Sequence, residues 1–289
     1  MTVNGITKQT HFSDLLESVM QKSIPEREKT VAVLLSGGMD SVSLALSAQR
    51  IGKQVHAYSF YCDDSPSYDS LKAQDVSAEF GFEFTPINVS TDNLRSDFIR
   101  LANTYRCRKK THFETTFPMM YVLPKIQEQI VLVGIGADGH FGMNKSAMMH
   151  HIRPKEKFDK LRHTVFHGPD NPNRTDGEPV HPTSDRRFLQ MLCDENARRL
   201  LMPYTFTEIF DYFIQFEWDE IHKPQQKYLV RKCYPELEGL QIKPHLNYQL
   251  VSGVSKAFER LLDDPEINFA NRSRIMDICR DWHYAISAA

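Results

Sequence analysis

Short apolar runs alternate with longer stretches of helical spacing along the first half of the chain. Apolar runs bounded by turn-forming residues are typical of buried strands, and here they predict strands at residues 31–35, 54–61, 82–89 and 130–135. Apolar residues spaced three or four positions apart predict amphipathic helices at residues 12–20, 42–50, 69–80, 92–103 and 116–129. Strands that alternate with helices in this way predict an α/β fold with a doubly wound, mostly parallel sheet.

The second half of the chain has a different pattern. Residues 150–187 are rich in Lys, Arg, His, Pro and Asp and predict a long polar loop, whose histidines have no spacing of a defined metal site. Beyond it, helices are predicted at residues 188–201, 207–216, 225–233, 246–262 and 267–287. We therefore divide the chain into an extension (1–30), an α/β core (31–149), the polar loop (150–187) and a mainly helical C-terminal part (188–289).

Composition narrows the class of protein. With 289 residues, 41% hydrophobic and 25% charged, the chain is typical of globular domains. Its net charge of −2 provides no basic field for nucleic acid. Five scattered cysteines without a Cys-x-x-Cys pair argue against a zinc ribbon or a disulfide framework and favour a cytoplasmic setting. No apolar run approaches the roughly 18 residues of a membrane span, and the N-terminus has no signal-peptide core.

The segment VAVLLSGGMDS at residues 31–41 carries the strongest chemical signal. A buried strand runs into two glycines and then into a helix, so backbone N–H groups and the positive helix end suit a phosphate or pyrophosphate. Asp40 is placed to hold Mg²⁺ on that phosphate. The spacing matches neither of the two common glycine-rich nucleotide signatures, and a turn without a ligand is the plainer alternative.

A second motif, GIGADG at residues 134–139, follows the strand predicted at residues 130–135. Ligands of doubly wound sheets bind outside the carboxyl ends of the strands. We therefore expect the two motifs to face one pocket, although almost 100 residues separate them in the sequence.

These motifs resemble those of a known family. SGGMDS resembles the pyrophosphate loop of the ATP pyrophosphatase superfamily, whose members split ATP between its α- and β-phosphates. From residue 31 to about residue 262, the chain resembles the synthetase domain of asparagine synthetases and β-lactam synthetases. The further motifs that carry this resemblance, in order, are DSLKAQDVSAEFG, TTFPMMYVLPKI, VLVGIGADGHFG, KYLVRKCYP and the segment from Ile242 to Gly253.

The resemblance implies ATP and Mg²⁺ as cofactors and assigns roles to individual residues. The pyrophosphate would be held by Ser36, Gly37, Gly38 and Ser41. Mg²⁺ would be shared by Asp40 and Asp138. The adenine and ribose pocket would be lined by Leu34, Phe60 and Gly134. Lys243 and Lys227 are the catalytic candidates, because a lysine is suited to stabilise charge on the leaving pyrophosphate, although a solvated surface lysine is the alternative for each.

Two departures from the family pattern concern the amine. Position 2 is Thr2, where the family's glutaminase domain needs a cysteine, so we expect free ammonia, a separate glutaminase or a different amine as the source of nitrogen. Ile135 stands where asparagine synthetases carry Glu and β-lactam synthetases carry Tyr. Isoleucine cannot accept a proton, and Glu208 and Glu217 are the candidates to replace that base.

A third departure concerns the acid. Glu114 stands where the family has an arginine, so an anion replaces an anion-binding group. The basic residues just upstream either substitute for that arginine or form a solvated charge run. These residues are Arg106, Arg108, Lys109 and Lys110.

The leading prediction is an asparagine synthetase-like ligase that adenylates a carboxylate and forms an amide, releasing AMP and pyrophosphate. Its expected partners are a small carboxylate and an amine or ammonia, with no membrane. One alternative is an RNA- or nucleobase-modifying enzyme of the same superfamily, which the basic residues 150–187 favour and the net charge and lack of paired catalytic cysteines oppose. The other is a nucleotide-binding protein without catalysis, which Ile135 and Glu114 suggest and the two aspartates oppose.

Overall fold

A five-stranded parallel sheet organises the molecule. The computed structural model of the chain describes residues 6–107, 110–142, 154–167, 185–237, 252–261 and 267. The strands lie in the order β3–β2–β1–β4–β5, and every pair is parallel. Their bounds are β1 Thr30–Leu34, β2 Gln54–Cys62, β3 Glu83–Val89, β4 Ile130–Leu132 and β5 Arg199–Leu201. The predicted α/β fold with a parallel sheet is confirmed.

Helices cover both faces of this sheet. Those of the first half are α1 Phe12–Ser23, α2 Met39–Arg50, α3 Tyr68–Phe80, α4 Leu94–Asn103, α5 Lys110–Thr116, α6 Met119–Val122 and α7 Ala137–Phe141. Those of the second half are α8 Lys155–His167, α9 Asp185–Glu195, α10 Thr207–Phe213, α11 Trp218–His222, α12 Tyr228–Arg231 and α13 Val254–Glu259. None of these described helices has the length and apolar character needed to cross a membrane.

Alternation along β1 divides the apolar core into two clusters, because successive side chains of a strand point to opposite faces. Val31 and Val33 belong to the cluster that includes α1 and α2. Ala32 belongs to the cluster that includes α4 and α9. Strand β1 is therefore buried on both faces, as its unbroken apolar sequence indicates.

The order in which the chain adds strands to the sheet reverses at the boundary between β1 and β4. From β1 it proceeds outward to β2 and β3, and it then returns to the other side of β1 as β4. In open parallel sheets the crevice beyond the carboxyl ends at such a reversal is the usual ligand site. The two glycine-rich motifs follow β1 and β4, so the topology places both at this crevice.

The prediction of a polar loop over residues 150–187 is wrong for residues 155–167, which form α8, and for residues 185–187, which begin α9. Phe158, Arg162 and Phe166 recur every four residues and are fully or almost fully buried. The Arg162 guanidinium lies 3.5 Å from the centre of the Phe158 ring and donates to the carbonyls of His140 and Phe216. The helical period was not recognised in the sequence because Arg162, a charged residue, occupies one of the buried positions.

Two further predicted helices are interrupted. The helix expected over 116–129 is broken at Pro118, which separates α5 from α6, and ends at Pro124 in a short 3₁₀ turn. The helix expected over 188–201 ends at Glu195, and the chain continues into β5. A three-residue strand is too short to show a period in the sequence.

The remaining C-terminal predictions are described only in part. The helix expected over 225–233 is confined to the single turn of α12. The helix expected over 246–262 is described from residue 252 to 261, where α13 forms. Apart from Ile267, the segment predicted over 267–287 lies outside the described residues. The division of the chain into four parts stays a prediction.

Candidate active site

Hydroxyl groups close the turn that follows β1. The Ser36 N–H donates to Ser41 Oγ at 3.2 Å, and Ser41 Oγ donates to the carbonyl of Gly38 at 3.1 Å. The Gly38 N–H points to Ser36 Oγ at 3.4 Å. These bonds wrap the turn around the first residues of α2, where N–H groups without an intrahelical partner attract anions.

Two glycines are required by close approaches of the backbone. Gly37 has φ +67°, and a Cβ there would lie 2.6 Å from the Cβ of Lys72 on α3. Gly134, which follows β4, brings its backbone against Asp40, where a Cβ would lie 3.3 Å from the Asp40 Cβ. A larger residue at either position would push the turn or Asp40 out of place.

One lysine joins the two motifs. Lys227 Nζ donates to Asp40 Oδ1 and Oδ2 at 2.6 and 2.8 Å, and to Asp138 Oδ1 at 3.1 Å. The lysine side chain is 7% exposed, whereas those of Asp40 and Asp138 are 20% and 40% exposed. The carboxylates therefore lie between the buried lysine and solvent, and the structure brings together three of the residues that the sequence singled out.

The electrostatics of this cluster keep Lys227 charged. Burial by itself lowers the pKa of an ammonium group, but the carboxylates of Asp40 and Asp138 outweigh that effect and raise the pKa of Lys227 above its ordinary value. The lysine also lies 4.9 Å from the centre of the Phe141 ring, at cation–π distance. A charged lysine in turn offsets the repulsion between the two carboxylates.

His222 holds the backbone of Lys227 in an uncommon conformation. Lys227 has φ +57°, which costs free energy for a residue with a Cβ. Its N–H donates to His222 Nδ1 at 3.1 Å, while His222 Nε2 donates to the carbonyl of Phe141 at 2.6 Å. These two partners assign the proton of the imidazole to Nε2. His222 thus fixes Lys227 relative to α7, the helix that carries Asp138.

A buried chain of hydrogen bonds ends at the main-chain carbonyl of Asp40. Ser43 Oγ donates to the carbonyl of Asp40 at 3.0 Å and accepts from the Tyr204 hydroxyl at 2.6 Å. The carbonyl of Tyr204 accepts from His140 Nε2 at 2.7 Å. Burial, and secondly the charge of Asp40, raise the pKa of Tyr204 well above its ordinary value. Sequence reasoning missed Ser43, Tyr204 and His222.

A cavity of about 480 Å³ opens in front of the two motifs. Its volume lies in the range of small-molecule sites. The lining residues that the sequence predicted are Leu34, Ser36, Asp40, Ser41, Phe60, Gly134 and Asp138. The predicted residues Gly37 and Gly38 shape the turn beside it. Lining residues that were not predicted include Tyr58, Thr115, Met119, Val122 and Leu189.

Other predicted candidates do not line this cavity within the described part of the chain. Lys243 lies outside the described residues. Glu217 is exposed and caps α11 together with Glu220, which accounts for its position in structural terms. Glu208 is in the first turn of α10 and does not line the cavity either. Neither glutamate is therefore placed in the cavity as the replacement for the base that is missing at Ile135.

Glu114 is buried and bonded to its neighbours. Its Oε1 accepts from Ser255 Oγ at 3.0 Å and lies 3.7 Å from Lys110 Nζ. Lys110 therefore pairs with Glu114 in the structure, while Arg108 and Lys109 lie outside the described residues. The Glu114 side chain thus connects α5 to α13.

A family model described as Asparagine synthase matches residues 11–233, which include every described residue of the cluster around Lys227. The chain belongs to the asparagine synthase family.

Similarity to individual proteins is more distant. The Microcin J25-processing protein McjC of Escherichia coli is 26% identical over 146 residues, which cover 50% of this chain and 28% of that protein. NMN synthetase from Francisella tularensis is 15% identical, covers 86% of this chain and 92% of its own, and has a TM-score of 0.35. The U34-tRNA thiolase NcsA from Methanococcus maripaludis is 16% identical, covers 88% and 89%, and has a TM-score of 0.29. At these TM-scores neither likeness bears on function.

Proposed function

We propose that this asparagine synthase-family chain adenylates a carboxylic acid and then forms an amide, releasing AMP and pyrophosphate. The observation that carries the proposal is the contact of one buried lysine with Asp40 and Asp138, beside the serine–glycine turn and in front of a cavity of about 480 Å³. A pair of carboxylates at an anion-binding turn suits a magnesium-bound polyphosphate better than a neutral ligand.

In this proposal the nucleotide lies along the carboxyl ends of β1 and β4. Ser36, Ser41 and the backbone of Gly37 and Gly38 hold the β- and γ-phosphates at the start of α2. The adenine and ribose pack against apolar and backbone groups of the same cavity. These groups are Leu34, Phe60 and Gly134.

Asp40 and Asp138 fit a magnesium ion. Mg²⁺ is usually bound by one or two carboxylates together with substrate phosphates and water, and these two carboxylates line the cavity while sharing a lysine on their inner side. When bound, Mg²⁺ neutralises charge on the phosphates. Lys227 would act as a positioning residue, because its ammonium group contacts both carboxylates.

The proposed reaction has two steps. A carboxylate oxygen of the acid attacks the α-phosphorus of ATP, the bond from that phosphorus to the bridging oxygen breaks, and pyrophosphate leaves with the bonding electrons. An amine nitrogen then attacks the acyl carbon, and AMP leaves with its oxygen. Backbone N–H groups of the turn stabilise the charge on pyrophosphate. Lys243 is the candidate for the second step and stays a prediction, and the proton of the amine must go to a group other than Ile135.

The amine and its source also belong to the proposal. A small carboxylate and ammonia or another amine are the expected substrates, with a separate glutaminase as a source of ammonia. Nothing in the described residues points to a nucleic-acid substrate.

The test is isotope exchange between pyrophosphate and ATP, measured with Mg²⁺ and a panel of carboxylic acids. Exchange that requires an acid, and that Asp40→Ala abolishes, would establish adenylation. The matched control is Asp75→Ala, which removes an exposed carboxylate on α3 and is expected to leave exchange unchanged. ATP binding without exchange for any acid would favour a nucleotide-binding protein instead.

A further inference from the structure

The cavity continues past Ile135 into an uncharged extension. A second cavity of about 200 Å³ is lined by Thr115, Thr116, Met119, Ile135, Leu189 and Leu192. Four of these residues, Thr115, Met119, Ile135 and Leu189, also line the cavity in front of the two motifs. We call this second space the side pocket. It lies between α5, α6 and α9, beside the segment that follows β4.

Ile135 stands at the junction of the two spaces. It lies between Gly134, which touches Asp40, and Asp138, which shares Lys227 with Asp40. On the proposed function, the carboxyl group of the acid must reach the α-phosphate near these residues. The part of the acid next to its carboxyl group then faces Ile135 and the side pocket.

The walls of the side pocket offer no charged partner among the described residues. Met119, Leu189 and Leu192 are apolar, and Leu192 is almost fully buried. The hydroxyl of Thr115 donates to the carbonyl of Thr111 at 2.8 Å, so it is already bonded within its own helix. The hydroxyl of Thr116 lies 4.0 Å from the sulfur of Cys107. A charged group would therefore lose hydration on entry and gain no ion pair there.

We propose that the side pocket binds the body of the acid, and that the acid is an aliphatic or aromatic monocarboxylate whose body carries no charge. This inference rests on the proposed function and narrows it to a substrate class. A charged group on the body of the acid would be disfavoured by the same walls that stabilise an alkyl chain.

The experiment has a binding arm and a turnover arm. Calorimetry measures binding of hexanoate and of aspartate to the protein saturated with a non-hydrolysable ATP analogue and Mg²⁺. Pyrophosphate–ATP exchange measures turnover of the same two acids. We expect hexanoate to be favoured over aspartate by at least about tenfold in both arms.

Two variants test whether hexanoate binds in the side pocket. Leu192→Trp fills the side pocket and is expected to weaken hexanoate binding at least about tenfold, with ATP binding unchanged. Leu71→Trp is the matched control, because Leu71 is 46% exposed on α3 and does not line either cavity. If Leu192→Trp does not fold, Leu189→Ala serves instead, and it is expected to shift the preference from hexanoate to longer acids such as octanoate.

The outcomes separate the two proposals. Exchange with aspartate and none with hexanoate would overturn the substrate class and leave adenylation standing. Hexanoate binding that Leu192→Trp removes, without exchange for any acid, would support the side pocket and overturn adenylation. Hexanoate binding unchanged by Leu192→Trp and by Leu189→Ala would overturn the side pocket.

Discussion

Two regions of opposite chemistry, one charged and one apolar, meet at the end of β4. On one side, Asp40, Asp138 and Lys227 form a cluster in which every charge depends on another. On the other side, Leu189 and Leu192 form the uncharged wall of the side pocket. Removing one member of a charged cluster leaves its partners buried and unbalanced, whereas an apolar wall responds mainly to changes in volume. We therefore expect large, general effects on the charged side and smaller, ligand-specific effects on the apolar side.

The largest expected loss of stability comes from Lys227→Met, because the carboxylates of Asp40 and Asp138 then lack the lysine between them. We expect the free energy of unfolding to fall by about 3 kcal/mol, near the lower limit for breaking a buried ion pair because Asp138 is partly exposed. Mg²⁺ should restore more stability to the variant than to the wild type, since the ion replaces the lost positive charge. Urea unfolding with and without Mg²⁺ measures both effects.

The control for that variant is Lys223→Met. Lys223 forms an exposed ion pair with Asp219 at 2.6 Å, and its side chain is 70% exposed. Its replacement should change stability by at most about 0.5 kcal/mol. Equal losses in the two lysine variants would contradict the contrast between a buried cluster and a surface pair.

The next prediction concerns the turn at residues 36–41, which contains Asp40 of the charged cluster. Gly37→Ala places a Cβ at φ +67° and 2.6 Å from the Cβ of Lys72. Gly52→Ala is the matched control, because Gly52 has φ +79° but has no atom within 4 Å of an added Cβ. Both variants should lose about 1–2 kcal/mol of stability from the left-handed conformation. Only Gly37→Ala should also weaken ATP binding, as measured by calorimetry.

A smaller effect is expected from the hydrogen bonds behind Asp40. Ser43→Ala leaves the buried Tyr204 hydroxyl without its partner and should cost about 1–2 kcal/mol. In the double variant Ser43→Ala/Tyr204→Phe, both polar groups are gone, so the combined loss should be less than the sum of the single losses. Strictly additive losses in urea unfolding would show that the bond contributes nothing.

The smallest effect is a dependence of stability on pH. Burial holds the pKa of His140 well below its ordinary value; the hydrogen bond to the Tyr204 carbonyl opposes this effect, and the charges of Arg162 and Arg186 add to it, so the folded protein keeps this histidine neutral. The unfolded chain binds a proton below about pH 6.5, so stability is lost as pH falls through that value. We expect His140 to contribute a loss of about 1 kcal/mol between pH 7 and pH 5.5.

Comparison with His140→Gln isolates this contribution. Glutamine keeps a hydrogen-bond donor for the carbonyl of Tyr204 but does not titrate. Its unfolding free energy should therefore change less between pH 7 and pH 5.5 than that of the wild type. An identical pH dependence for both proteins would assign the effect to other groups.

The parts of the site that could be predicted from sequence are those built by neighbours in the chain. The turn at residues 36–41 follows a strand that is apolar on both faces and precedes a helix, so local patterns suffice to place it. The position of Asp138 next to Asp40 could be predicted because parallel strands share one carboxyl edge. One further sequence pattern was not used in the prediction. Ser43 and Ser47 are polar residues four positions apart on the buried side of α2, and each bonds a buried tyrosine.

The α/β class, the two motifs at the ends of β1 and β4 and the family could be predicted from the sequence, because each depends on short runs of residues with a fixed spacing. The burial of Arg162 on α8, the pairing of β5 with β4 and the contact of Lys227 with both aspartates became apparent only in the folded structure. Those features depend on contacts between residues as far apart as Asp40 and Lys227, 187 positions along the chain. Whether a charged side chain is buried or solvated is settled by such distant partners, and no local pattern encodes them.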